Sequence, residues 1–329
     1  MRCIMNAHAT DRSGGIFPMV FGARARRPCH WSWAAGIVAI WVLVSLAQVF
    51  AVGEEACIMV YFQAHRGGLE EVPENTLVAL EHAWSIRGAV PEVDLRTTRD
   101  GVVVCMHDET PARTTNAPEP WRAKRIAEIP FETLRGWDAG GWFDAKYAGT
   151  PVPTLDEVLA AMRDKPDREI YLDLKDADEQ RLAECLREAG LERRVIFVHG
   201  DVAACRRLQQ LYEGARTMTW LSGTPRAIKA RFEELAAEDF AGLSQLQLHL
   251  YGPRRGGSPV TYFLEPEYLR DAVKRTRAAG VALQARPMIF DALSLRGLID
   301  AGIRWFVTDA PKAFAASIQE ALSLPSAPE

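Results

Sequence analysis

Beyond residue 55 the chain alternates short apolar runs with amphipathic stretches. The runs "CIMVYFQA", "AVPEVDL", "EIYLDLK", "RVIFVHG", "RTMTWL", "LSQLQLHL", "VALQARP" and "RWFVTDA" have the length of strands, and segments of helical spacing separate most of them. The punctuation agrees with this reading. "TLDEVLAAM" opens with Thr154 and Glu157 as a capping box, and Asp201 and Asp291 are placed to cap helix N-termini. Three predicted helices end in "EAG", "AAG" and "DAG", where Gly190, Gly280 and Gly302 can take the left-handed conformation that stops a helix. Eight strands alternating with helices predict an α/β fold, a (β/α)8 TIM barrel rather than an open doubly wound sheet. No dinucleotide-binding glycine fingerprint follows the first strand.

A further run, "VVVCMHD", follows "EVDLRTT" too closely for a crossover. Asp100-Gly101 between them is a hairpin turn, so the second strand should overshoot the barrel and return antiparallel. That extension would bring His107 back to the level of Glu92 and Asp94. Active sites of such barrels sit at the C-terminal ends of the strands. There the first strand ends on His65 and Arg66, the second carries Glu92 and Asp94, and the third ends on Asp173 and Lys175. Residues two apart on a strand share a face, so each of the last two pairs points one way. Gly67 and Gly68 leave room for a close approach to the turn after His65.

Three carboxylates meeting at a barrel mouth call for a compensating cation, and an all-oxygen set suits Mg²⁺ or Ca²⁺. His65 and His107 can divide general-acid and general-base roles, while Arg66 and Lys175 can hold an anion. This is a site suited to phosphodiester cleavage. The bland alternatives are a solvated strand end for Glu92 and Asp94 and a rim ion pair for Asp173 and Lys175. Glu74, His199 and Arg286 are candidates for supporting positions, Glu74 by orienting His65 or reaching the cation zone. The loop "YGPRRGGSPVTYFLEPE" would place Arg254 and Arg255 above the mouth.

The segments "HRG", "PENT", "EVDLRTTRDGVVVCMHD", "PTLDEVL", "LDLK" and "TDAP", in that order from Val60 to Pro311, resemble the glycerophosphodiester phosphodiesterases. The resemblance implies a barrel of the phospholipase-C-like type, a divalent cation, and hydrolysis of glycerophosphodiesters to glycerol 3-phosphate and an alcohol. By the same resemblance His65 and His107 match the acid/base pair, Arg66 the phosphate contact, Glu92 and Asp94 metal ligands, and Lys175 a neighbouring lysine. Asp173 stands where a glutamate ligand is usual. Gln284 and Arg286 replace a region that commonly carries tryptophan and asparagine, which points to altered substrate recognition. Related barrels acting on lysophospholipids or sphingolipids, and a noncatalytic phosphodiester-binding module, are the alternatives.

Composition narrows the partners. With 39 basic and 43 acidic residues in 329, the formal net charge of -4 offers no footprint for nucleic acid, and the small-molecule glycerophosphodiester is the partner that the resemblance implies. Residues 1–56 read as an N-terminal extension, 57–323 as the barrel and 324–329 as a tail. Within the extension, the uncharged stretch Trp33–Val52 follows Arg24, Arg26 and Arg27, as an export signal or a membrane anchor does. An exported protein, periplasmic or extracellular, is expected, with anchoring by residues 33–52 as the alternative. Six scattered cysteines form no metal or redox motif, although an oxidising compartment could pair some of the last four.

Overall fold

The structure is a computed structural model that describes residues 58–325, apart from residue 213 and residues 254–256. The apolar stretch 33–52 and the pair Arg254 and Arg255 lie outside the described residues. Among the described residues, no helix is long and apolar enough to cross a membrane.

Eight parallel strands close into a barrel: β1 (Tyr61–Ala64), β2 (Ala89–Thr97), β4 (Ile170–Leu174), β5 (Val195–Val198), β6 (Arg216–Leu221), β7 (Gln245–Leu250), β8 (Ala282–Pro287) and β9 (Trp305–Thr308). Closure comes from β1, which pairs with both β2 and β9. The short β3 (Val103–Cys105) pairs antiparallel with the end of β2 through a turn at Gly101, whose φ is +82°. The predicted hairpin is therefore present. Helices α1 (Leu77–Trp84), α3 (Leu155–Arg163), α4 (Glu179–Ala189), α5 (Val202–Leu211), α6 (Pro225–Ala236), α7 (Pro266–Ala278), α8 (Ala292–Asp300) and α9 (Pro311–Ser323) follow the barrel strands. The expected caps are made: Thr154 with Glu157, Asp201, and Asp291 at N-termini, and Gly190, Gly280 and Gly302 at positive φ.

Period-two alternation sorts every strand between two environments. In "QLQLHL" Leu246, Leu248 and Leu250 pack outward among the helices, leaving Gln245, Gln247 and His249 for the other face. The barrel interior is filled rather than open. Val90, Tyr171, Ile196, Val198 and Met218 cluster there, and the Tyr171 hydroxyl donates to Gln245 Oε1 (2.8 Å). On the outside, α9 seats Phe314 against Phe62 and Phe306 of the strands that close the barrel.

Residues 108–153 form a lobe that the alternation did not predict. It consists of 3-10 turns and the five-residue α2 (Phe131–Arg135), gathered on Val104, Met106, Ile126, Ile129, Leu134 and Trp137. Short turns lack a sustained hydrophobic period, so this core is invisible to pattern reading. Among the described residues Cys105, Cys185 and Cys205 are free thiols, and Cys57 lies outside them.

Candidate active site

The first loop is built by the residues that the sequence singled out, though not for the reason expected. His65, Arg66 and Gly67 form a 3-10 turn after β1, with Arg66 at φ 53°, Gly67 at φ 80° and Gly68 at φ 110°. The close approach is made by the chain itself. A Cβ on Gly67 would lie 2.5 Å from the Ala79 side chain of α1, and one on Gly68 would lie 2.8 Å from Pro311. This turn aims the Arg66 N–H at Glu92 Oε2 (2.6 Å).

"PENT" then acts one residue at a time. Glu74 accepts from Arg66 (2.9 Å) and from Arg113 of the lobe (2.7 and 2.8 Å). Asn75, at φ 55°, donates from its amide to Asp94 Oδ2 (2.8 Å) and accepts the Asp94 N–H (2.9 Å). Thr76 caps α1. Glu74 thus braces the Arg66 guanidinium, and the carboxylate that orients His65 is a different one. Asp309, just past β9, lies 2.7 Å from His65 Nδ1.

Register explains the acidic cluster. Asp94 and Asp173 are direct partners across β2 and β4, and Glu92 lies two residues before Asp94 on the same face. Ligand oxygens of Glu92, Asp94 and Asp173 lie within 4.8 Å of one another, all three side chains being buried or nearly so. Lys175 Nζ is 2.7 Å from Asp173 Oδ2 and 3.0 Å from Asp94 Oδ1, and Arg66 Nε is 3.4 Å from Asp94 Oδ2. Two buried oxygens, Glu92 Oε1 and Asp94 Oδ1, still make no aligned hydrogen bond. Burial and the charges of Asp94 and Asp173 push the Glu92 carboxyl well above its ordinary range. Burial also raises Asp173, against the pull of Lys175. Asp94 resists burial because Lys175, Arg66 and Asn75 outweigh it, and its pKa is lowered. A crowded all-oxygen set in which Glu92 Oε1 is buried without a partner fits a hard divalent cation.

The returning hairpin delivers His107. Met106 N–H donates to the Asp94 carbonyl (2.9 Å), and buried Arg96 donates twice to the His107 carbonyl (3.0 and 2.7 Å). His107 Nδ1 lies 2.8 Å from Asp108 Oδ1, and Arg113 grips Asp108 through two further bonds. Those bonds hold the Asp108 carboxyl far below its usual range. Both histidines therefore present a carboxylate to Nδ1. Because an ionised carboxylate only accepts, each Nδ1 carries a proton, and Nε2 is the atom left to exchange a proton with the substrate. Burial lowers the His65 pKa despite the Asp309 hydrogen bond, with Arg286 adding to the effect.

His65, Arg66, Glu92, His107, Asp173, Lys175 and Arg286 line one cavity of about 400 Å³, with Asp94 among them bonded to Arg66 and Lys175. His199 is not among its lining residues, because it shares the outward parity of Phe197 on β5. Its Nδ1 instead accepts the Asp201 N–H (2.9 Å) at the start of α5. The sequence reading missed Asp309, Asn75, Arg113 and the wall residues Gln63, Gln247 and His249. Alternation could have found two of them: Asp309 follows Trp305 and Val307 at period two, and His249 follows Gln245 and Gln247. Gln63 Oε1 is a further buried acceptor without a partner.

Comparison with known proteins agrees with the barrel fold. Residues 65–313 match the model of the Glycerophosphoryl diester phosphodiesterase family. The chain is 35% identical over 140 residues to a glycerophosphodiester phosphodiesterase of Caldanaerobacter subterraneus subsp. tengcongensis, covering 41% of this chain and 55% of that one. It is 38% identical over 104 residues to one from Bacillus subtilis, covering 29% and 34% respectively. The matched regions thus span between about a third and just over half of these curated relatives. Among solved structures, a glycerophosphodiester phosphodiesterase from Agrobacterium tumefaciens superposes with a TM-score of 0.60 at 25% identity, covering 78% of this chain and 100% of that one. An Oleispira antarctica phosphodiesterase in complex with the product sn-glycerol-3-phosphate shares the fold, with a TM-score of 0.59 at 23% identity over 79% of this chain and 97% of that one.

Proposed function

Because the chain belongs to the glycerophosphoryl diester phosphodiesterase family, we propose that it hydrolyses glycerophosphodiesters to glycerol 3-phosphate and an alcohol, using a divalent cation and the pair His65 and His107. The observation that carries this reading is the single cavity in which two carboxylate-backed imidazoles, Arg66 and Lys175 stand with Glu92 and Asp173. The product named for the Oleispira antarctica relative supports the substrate class.

Arg66 and Lys175 bind the phosphodiester, and each is kept in place by acidic neighbours rather than left free to collapse onto solvent. Glu92, Asp94 and Asp173 would hold Mg²⁺ or Ca²⁺. A bound cation would supply electrostatic stabilisation of the phosphoryl oxygens. His65 suits the base: burial and Arg286 favour its neutral form, and Asp309 fixes Nδ1–H so that Nε2 can take a proton from the nucleophile. His107, which for this step carries a proton on Nε2 as well as the Nδ1–H that Asp108 holds, passes the Nε2 proton to the leaving oxygen as the bond from phosphorus to that oxygen breaks. The proton taken by His65 later returns through solvent. Overall, the hydroxyl of one water ends on phosphorus and its proton on the alcohol. A glycerol hydroxyl attacking first would pass through a cyclic phosphate and use the same residues; trapping that cyclic species distinguishes the two routes. Export, or anchoring through residues 33–52, is the cellular placement that the sequence supports.

The test is glycerol 3-phosphate release from glycerophosphodiesters by the full-length protein supplied with Mg²⁺ or Ca²⁺. His65→Ala and His107→Ala should each lower kcat by at least about 100-fold with the fold intact. Tight diester binding without turnover in the wild type would replace this reading with the noncatalytic one.

A further inference from the structure

The cavity has two unlike sides. Glu92, Asp173, Lys175 and Arg66 crowd one of them, while the wall formed by β6, β7 and β8 presents Trp220, Gln247, His249, Tyr251, Arg286 and Met288. Among the described residues that wall carries no carboxylate, and its single permanent charge is Arg286. The nearby Asp309 is already engaged: its Oδ1 lies 2.7 Å from His65 Nδ1 and 3.1 Å from Arg286 Nη2. Among the described residues only one edge of the guanidinium is occupied in this way, because Nη2 makes both of the contacts of Arg286 and neither Nη1 nor Nε makes a hydrogen bond. Gln247 Nε2 donates to His249 Nε2 (2.8 Å), which sets the proton on Nδ1 toward the Tyr251 hydroxyl 3.4 Å away. Burial, with Arg286 and His65 adding to it, pushes the His249 pKa down to about 4, so the ring is neutral at physiological pH.

We infer that this wall is the subsite for the leaving alcohol, and that Arg286 selects diesters whose alcohol bears an anionic group over those whose alcohol is cationic. The inference rests on the hydrolytic reading above. A guanidinium with a free edge forks onto a carboxylate or a phosphate oxygen pair. A quaternary ammonium needs a closed aromatic box or a carboxylate, and here it would meet the Trp220 indole and the Tyr251 ring beside a like charge. Neutral His249 and Tyr251 add hydrogen-bonding groups without adding charge, so among the described wall residues discrimination by charge falls to Arg286.

The experiment compares kcat/KM of the full-length protein for four glycerophosphodiesters with choline, glycerol, glycolate and glycerol-phosphate as the alcohol. The last two separate a carboxylate from a second phosphate as the recognised anion. Wild type should favour at least one anionic substrate over the choline diester by about 10-fold or more, a coupling of the size that a single well-placed charge supplies. Arg286→Gln should bring that ratio close to one, and Arg286→Lys should keep part of it. Because each ratio is taken within one protein, any loss of His65 positioning divides out. A flat or choline-favouring profile in wild type, or an unchanged ratio in Arg286→Gln, overturns the inference while leaving hydrolysis standing. If no diester turns over, the hydrolytic reading falls instead. Calorimetric binding of the same four compounds to wild type and Arg286→Gln then decides the subsite by the same ratio.

Discussion

Asn75 joins the first loop to the cation zone through two hydrogen bonds to one residue, Asp94, and does so from a left-handed conformation that asparagine tolerates better than alanine. Asn75→Ala would leave the Asp94 amide and a carboxylate oxygen unpaired in the core. A loss of about 1–3 kcal/mol is expected, read from the denaturant midpoint. His249 gives a prediction in pH. Its folded pKa of about 4 lies below the 6.5 of a free imidazole. As pH falls from 6.5 toward 4, the unfolded chain therefore takes up a proton that the folded chain refuses, and stability is lost over that window. Melting curves of wild type and His249→Gln should converge as pH drops, with a differential effect of up to about 3 kcal/mol. Parallel curves between pH 4 and 7 would contradict the assignment. At this scale the sequence disclosed the residues that sit in short motifs, such as His65 and Asp94. It hid Asp309, whose partner His65 is 244 positions away and is met only when β9 closes against β1.

Among the elements, the hairpin of β2 and β3 is the one on which the site depends most. Its turn was legible because Asp100-Gly101 follows a strand pattern at hairpin spacing, and its function follows from register. Cys105 pairs with Leu95, so the chain reaches His107 beside Asp94. Arg96 then fixes the end of the ribbon by donating to the His107 carbonyl, while its other nitrogen pairs with Asp176 (2.9 Å). Arg96→Ala should release this anchor and cost about 10- to 100-fold in kcat with KM changed little, since a displacement of about 1 Å is enough for such a loss. Unchanged kcat in a folded variant would show that His107 needs no such support. The lobe of residues 108–153 was not legible, yet it supplies Arg113, which braces both Asp108 and Glu74. Its hydrophobic positions fall at irregular intervals set by 3-10 turns, and neither of the two regular periods detects them.

For the molecule as a whole, barrel closure turns local alternation into a site. Each strand sends every second side chain inward, and the last inward positions before the mouth are His65, Glu92, Asp173, His249 and Arg286. The same parity keeps His199 out of the cavity lining, although it stays near enough to Asp173 for its charge to be felt there. Three neighbouring carboxylates crowd the mouth of the closed barrel, and Glu92 Oε1 remains buried without a partner even with Arg66 and Lys175 in place. The most direct measurement is turnover of a glycerophosphodiester by the full-length protein, stripped of metal and then titrated with Mg²⁺ or Ca²⁺, beside Asp94→Asn. The predicted result is no activity after chelation, recovery along a one-site saturation curve in wild type, and no comparable recovery in Asp94→Asn. Full turnover after exhaustive chelation, or a wild-type titration curve from Asp94→Asn, would contradict a cation held by Glu92, Asp94 and Asp173.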